Sequence, residues 1–131
     1  MADIVLKKAA GSVTTKIDVL GAAPAVTSTT LWILDDSQPD HFRKDRQIKA
    51  PDDPEAALYN VGADPELDGK FLEWVWTATR PAGSTVAQGT IRITLEQGGA
   101  GVDGYPLDKR FDFDDAGPVT FSLTRHIRVA A

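Results

Sequence analysis

Apolar and polar residues alternate along most of the chain, and the period is two. In FLEWVWTA (71–78), Leu72, Trp74, Trp76 and Ala78 fall on one side of an extended backbone, and Phe71, Glu73, Val75 and Thr77 on the other. QGTIRITLEQ (88–97) repeats the pattern with Ile91, Ile93 and Leu95, and VTFSLTRHIRV (119–129) with Val119, Phe121, Leu123, Ile127 and Val129. β-Branched residues are common in these runs, and no window of helical length carries a 3.6-residue period. The predicted strands lie near 3–9, 13–20, 26–34, 70–79, 86–96, 106–113 and 119–129, with a weaker eighth over 57–61.

Turn residues between the runs predict three hairpins. Pro81-Ala82-Gly83-Ser84 joins Arg80 to Thr85, which sets Trp74 opposite Ile91, Leu72 opposite Ile93, Trp76 over Gly89 and Glu73 beside Arg92. A loop from Asp114 to Pro118 sets Phe113 against Val119 and Phe111 against Phe121. Ala9-Ala10-Gly11-Ser12 turns Ile4 and Leu6 back over Ile17 and Thr15. Each hairpin has one oily and one polar face, and two such sheets must cover each other. The expected fold is all-β: an antiparallel β-sandwich of about seven or eight strands, immunoglobulin-like or jelly-roll in style, forming one domain over 1–131. A small closed barrel is the alternative.

One stretch breaks the alternation. The insertion at 35–56, DDSQPDHFRKDRQIKAPDDPEA, is too charged for a core strand and long for a loop. Asp40 caps a helical turn through His41 to Arg46 on this reading, and Asp53-Pro54-Glu55 starts another that continues into Ala56-Ala57-Leu58. Its functional reading is a recognition loop at one end of the sandwich; its structural reading is a solvated crossover.

Composition narrows the function. A chain of 131 residues is about one domain and needs no staple to fold. The absence of cysteine removes disulfides, thiolate metal sites and a cysteine nucleophile, and favours a cytoplasmic location. The apolar run Ile4 to Leu6 is too short for a secretory signal or a membrane span. A net charge of −5, with both signs interspersed, lacks the footprint of a nucleic-acid binder.

Candidate chemistry is sparse. Trp74 and Trp76 are either a flat platform for a saccharide or two slabs of core; their company with Leu72, Ile91, Ile93 and Leu95 favours core. Trp32, in a run apolar on both faces, is the indole expected outside, and Phe71 and Val75 are apolar groups on the outer face of their strand. Asp64, Glu66 and Asp68 before Gly69 echo the first half of a calcium loop, but the acid expected six residues after the glycine is Val75, and Pro65 and Gly69 are ordinary turn residues. Asp35, Asp36 and Asp40 with His41 place one imidazole among carboxylates, at a strand exit where such residues also serve turns. Ser37 beside them forms no triad motif, and GGAG (98–101) reads as a flexible loop rather than a phosphate cradle. Arg125 falls in the inward phase of its strand, so it sits past a bulge, at the sheet's end, or facing a ligand.

The expectation is a non-catalytic binding or interaction module for a protein or saccharide partner, using loops or an outer sheet face. Ligand-binding candidates are Trp32, His41, Phe71, Val75 and Arg125; Asp64, Glu66 and Asp68 are the candidates for calcium, the one cofactor considered. A structural subunit of a larger oligomeric assembly and a carboxylate-dependent hydrolase are the alternatives.

Overall fold

The alternating runs become strands in the computed structural model, which describes residues 3–20, 26–38, 41–54, 57–80, 88–112 and 117–130 (the side chains of 26–27, 36–38 and 41–45 excepted). In chain order they are β1 (Ile4–Lys7), β2 (Ser12–Leu20), β3 (Val26–Gln38), β4 (His41–Lys49), β5 (Tyr59–Ala63), a helical turn α1 (Asp64–Leu67), β6 (Phe71–Ala78), β7 (Gln88–Gln97), β8 (Ala100–Gly101), β9 (Leu107–Asp112) and β10 (Val119–Ala130). Two five-stranded sheets face each other in an all-β sandwich. Sheet I has the order β1-β10-β6-β3-β4; sheet II has β5-β2-β7, with β8 and β9 both pairing with β7. Every pairing is antiparallel except β1 with β10.

The three expected hairpins are not there. The chain changes sheet after β1, β2, β4, β5, β6 and β9. Thus β6 pairs with β3 and β10, while β7 pairs with β2 and β9. Glu73 does not meet Arg92; it accepts from the Thr124 hydroxyl at 3.2 Å, and Arg92 binds Asp108. Facing across a core and pairing within a sheet bury the same side chains, so a period of two does not separate them. Pro81 to Ser84 and Phe113 lie outside the described residues.

The hairpins that do form are elsewhere. β3 turns into β4 with Gln38 opposite His41, so the charged stretch 35–56 is ordered mainly as strand and not as helical turns. Its charges are tolerable because β4 is an edge strand, where charge and three register shifts against β3 discourage further pairing. Asp53 accepts from the Ala50 amide in a turn and starts no described helix; Asp40, Glu55 and Ala56 lie outside the described residues. The GGAG segment is a tight turn: Gly98 and Gly99 sit at φ +59° and +85° between Gln97 and Ala100, the sign that a two-residue hairpin turn of type I′ requires. A Cβ on Gly98 would also lie 2.2 Å from the Ala10 carbonyl.

The inward phases hold throughout. Leu72, Trp74, Trp76 and Ala78 of β6 are buried against Ile91, Ile93 and Leu95 of β7. Trp74 and Trp76 are 0% and 1% exposed, and burying each contributes about 4–6 kcal/mol at ~25 cal/mol per Å² before entropic costs. The Trp74 Nε1–H donates across the core to Thr15 Oγ1 at 3.1 Å, and that hydroxyl donates to the Thr94 carbonyl at 2.7 Å. Trp76 does not cover Gly89. It stacks on Phe121 and meets Phe111 edge-on, and Phe111 is the ring that lies over the glycine. Trp76 Nε1 has no acceptor among the described residues.

Two polar clips tie the sheets together. The Gln97 carboxamide, from sheet II, accepts the Lys7 N–H at 2.8 Å and donates to the Lys7 carbonyl at 2.7 Å. On the opposite side the Arg46 guanidinium donates to the Val61 carbonyl. Lys49 is buried at the end of β4, its ammonium donating to the Thr29 and Ala50 carbonyls at 2.7 and 3.2 Å.

Two substitutions test this packing. A Cβ on Gly89 would approach Phe111 Cζ to 2.5 Å, so Gly89→Ala is expected to cost about 1–3 kcal/mol in urea denaturation, with part regained by adding Phe111→Leu. Thr15→Val keeps the shape but strands the Trp74 N–H and the Thr94 carbonyl; a loss of about 1–3 kcal/mol is expected, smaller when Trp74→Phe is already present.

Candidate binding face

A strand buried on one side presents its other residues to solvent, so each sheet has an outer face set by the second half of the alternation. In sheet I the registers align these residues in rows. Ser28, Thr77 and Thr120 form one, Thr30, Val75 and Ser122 the next, and Trp32, Glu73 and Thr124 the third. Phe71 and His126 follow, their rings 4.8 Å apart and tilted by 52°. Thr77 and Thr120 share a hydrogen bond of 3.0 Å. Across the three rows Glu73 is the one ionised side chain, and its carboxylate is engaged by Thr124.

The outer face of sheet II is the opposite. Asp18, Arg92 and Asp108 are aligned across three strands, and the Arg92 guanidinium holds both oxygens of Asp108 at 2.8 and 3.1 Å. Lys16 pairs with Asp18 at 3.4 Å, and Gln88 links Arg110 to Asp112. The hydrogen bond from Arg92, then its charge, holds the Asp108 carboxyl below the ordinary aspartate range. The same pairing raises Arg92 further above neutrality.

The expected ligand-binding residues divide. Trp32, Phe71 and Val75 share the outer face of sheet I, each half-buried. Arg125 does not join them. The β10–β6 register runs without a shift from Val119 to His126, so no bulge turns it outward. It stays in the inward phase, half-buried, beside Tyr105 on the facing layer; burial pushes the Tyr105 phenol up, and the Arg125 charge pulls against it. His41 takes its place in β4 opposite Gln38, and its ring lies outside the described residues, as do the side chains of Asp36, Ser37 and Asp40.

Of the three acids before Gly69, Glu66 is exposed and the other two serve the backbone. Asp64 accepts from the Ala9 amide at 3.1 Å, and Asp68 from the Val129 amide at 3.1 Å. Together they fasten the α1 turn to the chain after β1 and to β10. Among the described residues no three His, Asp or Glu side chains come together as a metal ion would require.

The serine and threonine rows of β3 and β10 are not among the expected ligand-binding residues. Their signal is the outward phase of VTFSLTRHI, where Thr120, Ser122 and Thr124 alternate with the core residues. Fold and face together define an all-β sandwich whose sheet II surface is charged and whose sheet I surface, where β3, β6 and the first part of β10 meet, carries hydroxyls and aromatic rings. No known protein family, curated protein or solved structure matches the chain. Among the described residues no helix is long and apolar enough to cross a membrane.

The Arg92–Asp108 pair gives a pH test. A carboxyl lowered in the folded state contributes stability above its unfolded value, and that contribution is lost as pH falls through the lower folded value. Asp108→Asn is therefore expected to reduce the thermal midpoint at neutral pH and to leave it unchanged once the pH is low enough to protonate the carboxyl in both states. An equal loss in neutral and strongly acidic solution would show that the carboxylate charge is not what matters.

Proposed function

We propose that the chain is a non-catalytic binding module, and that the outer face of sheet I receives its protein or saccharide partner. The observation that supports this is the contrast between the faces. Sheet II carries an interlocked set of ion pairs, which is costly to desolvate against a partner. Sheet I offers Trp32, Val75 and Phe71 among serine and threonine hydroxyls, with Glu73 already hydrogen-bonded. Apolar rings and short hydroxyls suit a surface that covers and uncovers at little electrostatic cost. Trp32 also provides a reporter, because it is half-buried while Trp74 and Trp76 are sealed in the core.

The test is a glycan array and a protein-partner screen run with three forms: wild type, Val75→Arg on sheet I, and Thr94→Arg on sheet II. The wild type and Thr94→Arg are expected to retain a common ligand, and Val75→Arg to bind it at least ~10-fold more weakly, about 1.4 kcal/mol. Ligand addition should change tryptophan emission in wild type and not in Trp32→Phe. Binding that survives Val75→Arg and is lost with Thr94→Arg would move the site to the other sheet.

A further inference from the structure

A β-sandwich leaves strand edges, and an edge without bulges or charges is a template for another strand. The edges here are unequally guarded. β4 pairs with β3 through three register shifts, and β5 with β2 through one. β8 has only two residues, and β9 (LDKRFD) is charged at Asp108, Lys109, Arg110 and Asp112. β1 is short and carries Lys7, but it has no bulge: Ile4 to Lys7 run in unbroken parallel register with Ile127 to Ala130. The N–H and C=O of Lys7 both turn away from β10, to the Gln97 carboxamide. Residues two apart point their backbone groups the same way, so those of Val5 also face outward. A hollow of about 370 Å³ lies beside this edge, lined by Val5, Lys7, Ala10, Ala100, Gly101 and Ala130 among others.

The sequence of this edge is complementary to itself. We propose that two copies of the chain pair antiparallel through the outer edges of their β1 strands, about a two-fold axis at Val5, to make one continuous sheet from both copies of sheet I. In that register Val5 meets Val5, Ile4 meets Leu6, and Asp3 of each copy meets Lys7 of the other. The three residues with outward backbone groups pair only with one another, as an antiparallel ladder requires. Ile4 and Leu6 keep their inward phase, and Asp3 and Lys7 form opposite-charge pairs on the exposed face, at both ends of the contact. Asp3 already lies 3.7 Å from His126 Nδ1 and 3.8 Å from Arg128 Nε, contacts at the long limit of an ion pair that leave its carboxylate exposed. Gln97 holds in the single copy what the second copy would hold at Lys7, so it opposes the pairing. A five-residue contact is small beside the ~1,200–2,000 Å² of a stable interface, so the dimer is weak and concentration-dependent.

Sedimentation velocity across a concentration series tests this, with circular dichroism confirming the fold of each variant. Wild type is expected to show a monomer–dimer equilibrium, and Gln97→Ala a dimer several-fold tighter. Val5→Pro removes an outward N–H that β10 does not use and should abolish the dimer. Asp3→Lys should weaken it ~10-fold or more by opposing like charges, and the swap Asp3→Lys with Lys7→Asp should restore it to within a few-fold of wild type. A monomer at every concentration for both wild type and Gln97→Ala overturns the proposal. So does a dimer indifferent to Val5→Pro and Asp3→Lys.

Discussion

The distance between the two sheets is set by indoles. Trp74 and Trp76 project from one strand into the same narrow layer, and everything opposite must fit around them. Thr15 gives the first ring its acceptor, and being a threonine it adds little bulk beneath the ring. The second ring is met by Phe111 and Phe121, whose centroids lie 5.3 Å apart, and Phe111 in turn needs the bare backbone of Gly89. A packed interior tolerates little change in volume, so the choice of threonine at one position and glycine at another follows from the two large side chains facing them.

Much of this was legible in the residues. The inward set on β6, β7 and β10 is read from alternation alone, because burial of one face is what alternation encodes. The partners of each strand were not legible. Phe111 and Phe121 do touch, as a hairpin would have them do, but across the core, since β9 and β10 belong to different sheets. A glycine that asks for an aromatic cover does not say which aromatic supplies it. The charged stretch 35–56 differs from its expected form for another reason: charge argues against a buried strand, not against an edge strand, and β4 is an edge. Arg125 shows the reverse case, an inward phase read correctly and then doubted because of its charge; the aromatic loop at Tyr105 gives it neighbours on that side.

The candidate face was half visible in the same way. Phe71 and Val75 stand out as apolar residues on a polar side. The flanking hydroxyl rows became a surface only once β3 and β10 were known to border β6. A site spread across three strands is a property of the pairing, and pairing is what a single sequence encodes least directly. The charged face of sheet II has the same origin, since Asp18, Arg92 and Asp108 come from three different strands.

β10 lies between β1 and β6, so an interior place in sheet I is filled by a strand that follows the other nine in chain order among the described residues. Until β10 is in place, β1 has no neighbour in its sheet, and the Trp76 indole lacks the cover of Phe121. Closure of the sandwich therefore waits on β10, and a partly folded chain without that strand exposes the apolar surface that β10 covers.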